Sequence, residues 1–193
     1  MREEEKSHMK KPRQVQRCGQ DDLRFFPLEG LLPASQALSV NTTHLIVSLV
    51  STNSVNASPI LRQQVVLETD MRLLLLLLES PRYCPQEVLR ASLFCSYSGL
   101  LAGLFSPATD ARAEWQTAME EQHLYLQCAQ ELGNWKKALK PLYNALSKLR
   151  FKLHPFDLEI ALIQSCSAYA LMPLRLPQEH TRSNSNSVLL VHA

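Results

Sequence analysis

Along residues 135–149 the apolar positions fall three and four apart: Trp135, Ala138, Leu139, Leu142, Ala145, Leu146 and Leu149. That spacing puts all seven on one face of a helix, and the face is built for burial. Gly133 and Asn134 interrupt the pattern just before it, so the stretch reads as the joint of a helical hairpin, with Asn134 as N-cap of the second helix. Ala138 and Ala145 are small and lie two turns apart, where a neighbouring helix can approach closely.

Elsewhere one device repeats: a residue suited to extended backbone, followed by proline at a first helical position. Read this way, Ser58-Pro59 opens a helix to about Ser80, Cys84-Pro85 a second to about Phe105, Ser106-Pro107 a third to Leu132, and His154-Pro155 a fifth to Met172, with the Asn134 helix as the fourth. Short links between long helices require antiparallel neighbours. The expected fold is therefore all-α, antiparallel helical hairpins stacked as a short α-solenoid over residues 58–172. The first helix turns apolar all round at Leu73–Leu78, so it needs cover on more than one side. Residues 21–57 read as an irregular segment packed on the core, with the run 45–50 taken as part of a short helix because no other strand offers to pair with it. Residues 1–20 and 173–193 lack apolar periodicity and are expected to be a disordered charged arm and a disordered tail; near its end the tail carries the apolar scrap Val188-Leu189-Leu190-Val191.

The run Gly133-Asn134-Trp135, then Ala138, Tyr143, Ala145 and Leu146, closed by Leu153-His154-Pro155, resembles the second helix of a tetratricopeptide repeat. The long form found in kinesin light chains and in the C-terminal region of SET and MYND methyltransferases is the nearest in pattern, over residues 107–172. Pro141 inside the helix and the absence of a Leu-Gly pair in the preceding helix depart from the family. The resemblance implies a tetratricopeptide-like solenoid with a concave, peptide- or helix-binding groove. Carried onto the third helix, the groove stripe is Glu120, His123, Gln127 and Gln130, opposite a packing side of Trp115, Ala118, Gln122, Tyr125, Leu126 and Ala129. It does not imply methyl transfer, because the SET fold and its cofactor site have no counterpart in these residues.

Composition narrows the function classes. The 193 residues carry a formal charge of +2 and are 46% hydrophobic, which fits one domain with a substantial core and gives no global signal for nucleic acid or an anionic membrane. The longest apolar run, six leucines, is far short of the ~20 residues a membrane helix needs. Five dispersed cysteines without a CxxC pair fit a reducing compartment, four of them serving as small core residues. The expected setting is the cytoplasm, with the nucleus as the alternative if Lys10-Lys11-Pro12-Arg13 is read as an import cluster.

No phosphate-cradling glycine loop, HExxH, GxSxG or paired-cysteine metal frame occurs, so no catalytic, cofactor or metal residues are assigned. Asp110, Glu114, Glu120 and Glu121 read as a solvated helix face. Lys136, Lys137, Lys140, Lys148, Arg150 and Lys152 make the fourth helix basic, but without the interleaved aromatics of a single-strand binder. On the fifth helix Ile160 and Ile163 point away from the fourth and would form an exposed apolar docking face, available for self-association. The function expected is a non-enzymatic protein-interaction scaffold or adaptor subunit. A helical regulatory or substrate-recognition portion of a larger enzyme is the alternative, and a nucleic-acid-binding solenoid ranks third.

Overall fold

A computed structural model describes residues 22–53 and 59–174, so the expected arm at 1–20 with its Lys10-Lys11-Pro12-Arg13 cluster and the expected tail from 175 on, Val188-Leu189-Leu190-Val191 included, lie outside the described residues. The chain begins as an antiparallel meander of β1 (Leu23–Phe26), β2 (Gln36–Asn41), β3 (Ile46–Ser51) and β4 (Ile60–Val65), in that spatial order. Helix α1 (Glu68–Glu79) follows, then a two-residue strand β5 (Cys84–Pro85), α2 (Gln86–Ser92), α3 (Tyr97–Phe105), α4 (Ala113–Glu131) and α5 (Trp135–Leu153). A closing hairpin of β6 (Leu158–Ile163) and β7 (Ala168–Pro173) adds to β5 in a second antiparallel sheet, ordered β5-β7-β6. The fold is mixed, with two sheets and five helices among the described residues. The all-α solenoid, and with it the tetratricopeptide likeness, is overturned.

Each correction has a local cause. Where a helix was expected from Ser58, the chain forms β4 and only then α1. Pro59 precedes an edge strand, a position that tolerates a missing N–H as readily as a helix start does, and Arg62-Gln63-Gln64 has no apolar face to bury helically. The start of α1 is set by Asp70, whose carboxylate accepts the Leu67 N–H at 3.2 Å. The expected fifth helix is the β6–β7 hairpin. Pro155 opens a single 3-10 turn, and Asp157 (φ 57°) and Ser167 (φ 50°) take left-handed conformations that stop helical propagation on either side of β6. Residues 23–51, read as irregular or helical, form three strands, because the run at 45–50 finds β2 and β4 as its partners.

The second expected helix is broken into α2 and α3. Arg72 on α1 explains the break: its Nη1 donates to the carbonyls of Ser92 at 2.8 Å and Cys95 at 2.6 Å, turning them away from helical partners. Glu68, one turn back, accepts from the same guanidinium. Ser96 then caps α3, its hydroxyl accepting the Gly99 N–H at 2.9 Å. The Ser96 hydroxyl, together with the Ser96 N–H that donates to the Glu114 carboxylate at 2.9 Å, holds the Glu114 pKa below the usual carboxylate value. Gly133, at φ 70°, joins α4 to α5 in the left-handed conformation glycine adopts most readily.

All these elements close on α1. Leu73–Leu78 are all at most 4% exposed. They share one core with Leu38, Val40, Val47 and Leu49 from the inner face of the meander, Leu142 and Leu149 from α5, and Leu158 and Tyr169 from the second sheet. Leu28 and Leu32, in the β1–β2 connection, add cover from the meander side. Two polar struts tie the layers together: Lys152 on α5 reaches Asp70 at 2.5 Å, and the Tyr97 hydroxyl on α3 donates to the Thr42 carbonyl at 3.0 Å. The other face of the meander, carrying Leu23, Phe25 and Ile60, is covered by nothing among the described residues.

Two expectations test this packing. A methyl group at Gly103 would collide with the Cβ and Cγ of Trp115, atoms that cannot move without shifting α4, whereas one at Gly99 meets only the end of the Glu114 side chain. Gly103→Ala should therefore lower stability by about 1–3 kcal/mol in urea denaturation and Gly99→Ala by clearly less. Arg72→Met, which strands the Ser92 and Cys95 carbonyls, should lower it by roughly 2 kcal/mol in the same assay.

Candidate functional site

The concave feature that gathers the most of the sequence-predicted residues lies between α2 and α4. Met119, Glu120, His123 and Leu124 recur at helical spacing on α4 and face Glu87 and Val88 on α2, enclosing a groove of about 430 Å³. Val88 and Met119 are half-buried against the core and form the floor. Leu124 stands 60% exposed at the lip. The rim is polar. His123 Nδ1 sits 3.1 Å from Glu87 Oε2, the geometry of a hydrogen bond donated by the imidazole, and Glu120 lies one turn before His123.

The groove has a stiff wall. Arg90, one turn beyond Glu87, is 4% exposed; its Nε donates to the Ala138 carbonyl of α5 at 3.1 Å, and its guanidinium lies 4.5 Å from the Phe94 ring and 4.2 Å from that of Tyr125. Burial pushes its pKa down, and no carboxylate among the described residues is paired with it. Arg90 Nη1, Gln86 Oε1 and Gln122 Oε1 are buried with no hydrogen-bond partner among the described residues. The cation is held instead by two aromatic faces and one carbonyl, which fixes α2 against α4 and α5 at once.

The sequence-predicted residues are distributed unevenly over this geometry. Glu120 and His123 line the groove; Gln127 and Gln130 are exposed on the same stripe of α4 but beyond it. Trp115, Ala118, Leu126 and Ala129 are buried on the opposite side of that helix, whereas Tyr125 is 49% exposed and stacks with Arg90. Ile160 does not form an exposed docking face: it is 1% exposed on β6, directly opposite Leu171 of β7, and Ile163 is half-buried at the end of the same strand. The fifth-helix face on which self-association was expected does not exist. The basic stripe of α5 is also partly internal, since Lys152 pairs with Asp70 and Arg150 Nε donates to the Ile160 carbonyl at 2.9 Å. Lys136, Lys137, Lys140 and Lys148 remain exposed.

Glu87, Val88, Met119 and Leu124 were missed. Nothing in the sequence sets α2 across from α4, because both were read as parts of longer helices; the one available signal was Leu124, an apolar residue beside the polar stripe. Among the described residues no group of three His, Cys, Asp or Glu side chains could hold a metal ion, and no helix is long and apolar enough to cross a membrane. No protein-family model, curated protein or solved structure matches the chain.

The cysteines also depart from expectation. Cys84 is buried and Cys95 half-buried, but Cys128 and Cys166 are exposed rather than core residues. Burial pushes the Cys84 thiol up to about 12, so at pH 8 it is neutral as well as shielded. Iodoacetamide labelling followed by peptide mass mapping should modify Cys128 and Cys166 in the native protein and reach Cys84 only after unfolding.

Proposed function

We propose that the protein is a non-enzymatic protein-binding module whose α2–α4 groove takes a short segment of a partner, an apolar side chain flanked by lysine or arginine. The observation that carries this reading is the groove's composition: an apolar floor and lip of Val88, Met119 and Leu124 edged by the carboxylates of Glu87 and Glu120. An apolar anchor would gain from burial against the floor, and a cation beside it would meet two carboxylates at the rim. His123, held by Glu87, adds a third polar contact to the same edge. The buried Arg90 strut supports the role by keeping the two walls at a fixed spacing, so that a peptide pays little for ordering its receptor.

A peptide array of defined sequences, probed with the full chain, tests the reading. Bound peptides should be enriched in Lys or Arg next to Leu, Met or Phe. Leu124→Glu should abolish selection, and Glu87→Lys with Glu120→Lys should turn the preference toward acidic flanks, both with unchanged circular dichroism. A selection indifferent to these charge reversals would remove the groove from consideration.

A further inference from the structure

We propose that the outer face of α5 binds single-stranded nucleic acid, its lysines meeting phosphates and its exposed aromatic rings stacking on bases. At about 100° per residue, Lys136, Lys137, Lys140, Tyr143, Lys148 and Phe151 fall within one arc of roughly 140°, which Asn144 and Ser147 complete. All of these side chains are exposed. The opposite side of the helix is spent on the core, where Leu139, Leu142, Leu146 and Leu149 are at most 1% exposed. The interleaved aromatics that the sequence pattern did not reveal are supplied by the fold. Tyr143 is 37% and Phe151 71% exposed, and they stand about 12 Å apart along the helix axis.

The charge of this face is uncompensated. No Asp or Glu lies between Glu131 and Asp157, and the Asp157 carboxylate is taken by Arg62 at 3.4 Å. Among the described residues none of the four lysines is in an ion pair, whereas Lys152 and Arg150, on the inner flank of the same helix, are held by Asp70 and by the Ile160 carbonyl. The whole chain carries a formal charge of only +2, so these cations are a local concentration and not part of a generally basic surface. Four ammonium groups along ~18 Å of one helix attract a polyanion, and release of its counterions drives the association.

The rings decide among polyanions. An acidic run of peptide has no planar group to lay on Phe151, and a duplex keeps its base faces stacked on one another. A single strand offers both a chain of phosphates and free base faces, and an exposed aromatic ring can take any of the four bases. Asn144 and Ser147, on the same arc as the rings, are side chains of the kind that hydrogen-bond to phosphate and sugar. An anionic membrane would meet the same lysines, but a helix settles in a bilayer interface through its apolar face, and that of α5 is buried in the protein. With stacking as the base contact, the face should accept strands with little regard to sequence.

Fluorescence anisotropy of the full chain with labelled oligo(U) and oligo(dT) tests the assignment, the first strand standing for RNA and the second for DNA. Tighter binding of one names the source, and binding of either meets the proposal. With four lysines on phosphates, affinity should fall about 50-fold between ~50 and ~200 mM KCl. Lys140→Gln with Lys148→Gln should reduce that fall to about sevenfold. Phe151→Ala should weaken binding roughly fivefold or more at an unchanged salt dependence, and Phe151→Trp should restore it, all with unchanged circular dichroism. No binding at the lower salt, or equal binding by the unmodified and Phe151→Ala chains, would overturn the proposal outright. Polyglutamate bound as tightly as the strands would overturn it in favour of an acidic protein, and phosphatidylserine vesicles bound in preference to them in favour of a membrane surface.

Discussion

Six consecutive leucines, 73–78, give α1 no face that tolerates water, and the architecture answers that condition. A helix with one apolar stripe can lie on the outside of a core; one buried all round has to be enclosed. Enclosure needs layers on every side, and this chain supplies them from both directions in sequence: the meander and its β1–β2 connection before α1, and α2, α3, α5 and β7 after it. The first turn of α1 then becomes the place where polar groups can be used to fix those layers. Arg72 holds the α2–α3 link through two carbonyls, and Asp70 holds α5 through Lys152 while accepting the Leu67 N–H. Apolar burial supplies the cohesion, and these few directional contacts determine how the layers are arranged around it.

What could be read in advance follows from the range of the forces involved. The α4–α5 hairpin was legible because its determinants are local: a glycine that takes positive φ, and seven apolar residues at helical spacing, six of which are buried and the seventh half-buried. Small residues at Ala138 and Ala145 signal close helix packing in general, and only by analogy a repeat array. The strands were illegible because each is six residues or fewer and obtains its partners from elsewhere in the chain. Leu158 to Ile163 can be drawn on a helix or a strand with equal ease; β7, and the turns at Asp157 and Ser167, decide between them. The candidate groove was half-legible for the same reason. Glu120 and His123 share one helix and could be paired by spacing, whereas Glu87 arrives from a helix whose position depends on Arg72.

The α2–α4 groove and the trough on the open face of the meander, bordered by Leu23, Phe25 and Ile60, differ in the way they could discriminate between ligands. The α2–α4 groove has charge at its rim, so association there would be steered at a distance and weakened by salt. The trough on the meander has none, and its selectivity would come from shape and from the penalty on burying a charge. They also differ in stiffness. The first is braced by Arg90 between two aromatic rings and by its bond to Ala138, while the second lies on a sheet whose outer strands β1 and β4 are both edges.

The pairing of β5 with β7 joins Cys84 to Tyr169, and the Leu171 N–H closes on the Pro81 carbonyl at 2.7 Å. These contacts span most of the second half of the chain, so a ribosome must add roughly ninety residues after α1 before the last wall of its enclosure can form. At the ~5–20 residues per second of translation that is an interval of roughly 5 to 18 seconds. Throughout it the six leucines have the meander on one side and no β7 on the other. The most cohesive element of the finished protein is thus the most adhesive element of the unfinished one, and the vulnerable moment in the life of this chain lies in its synthesis.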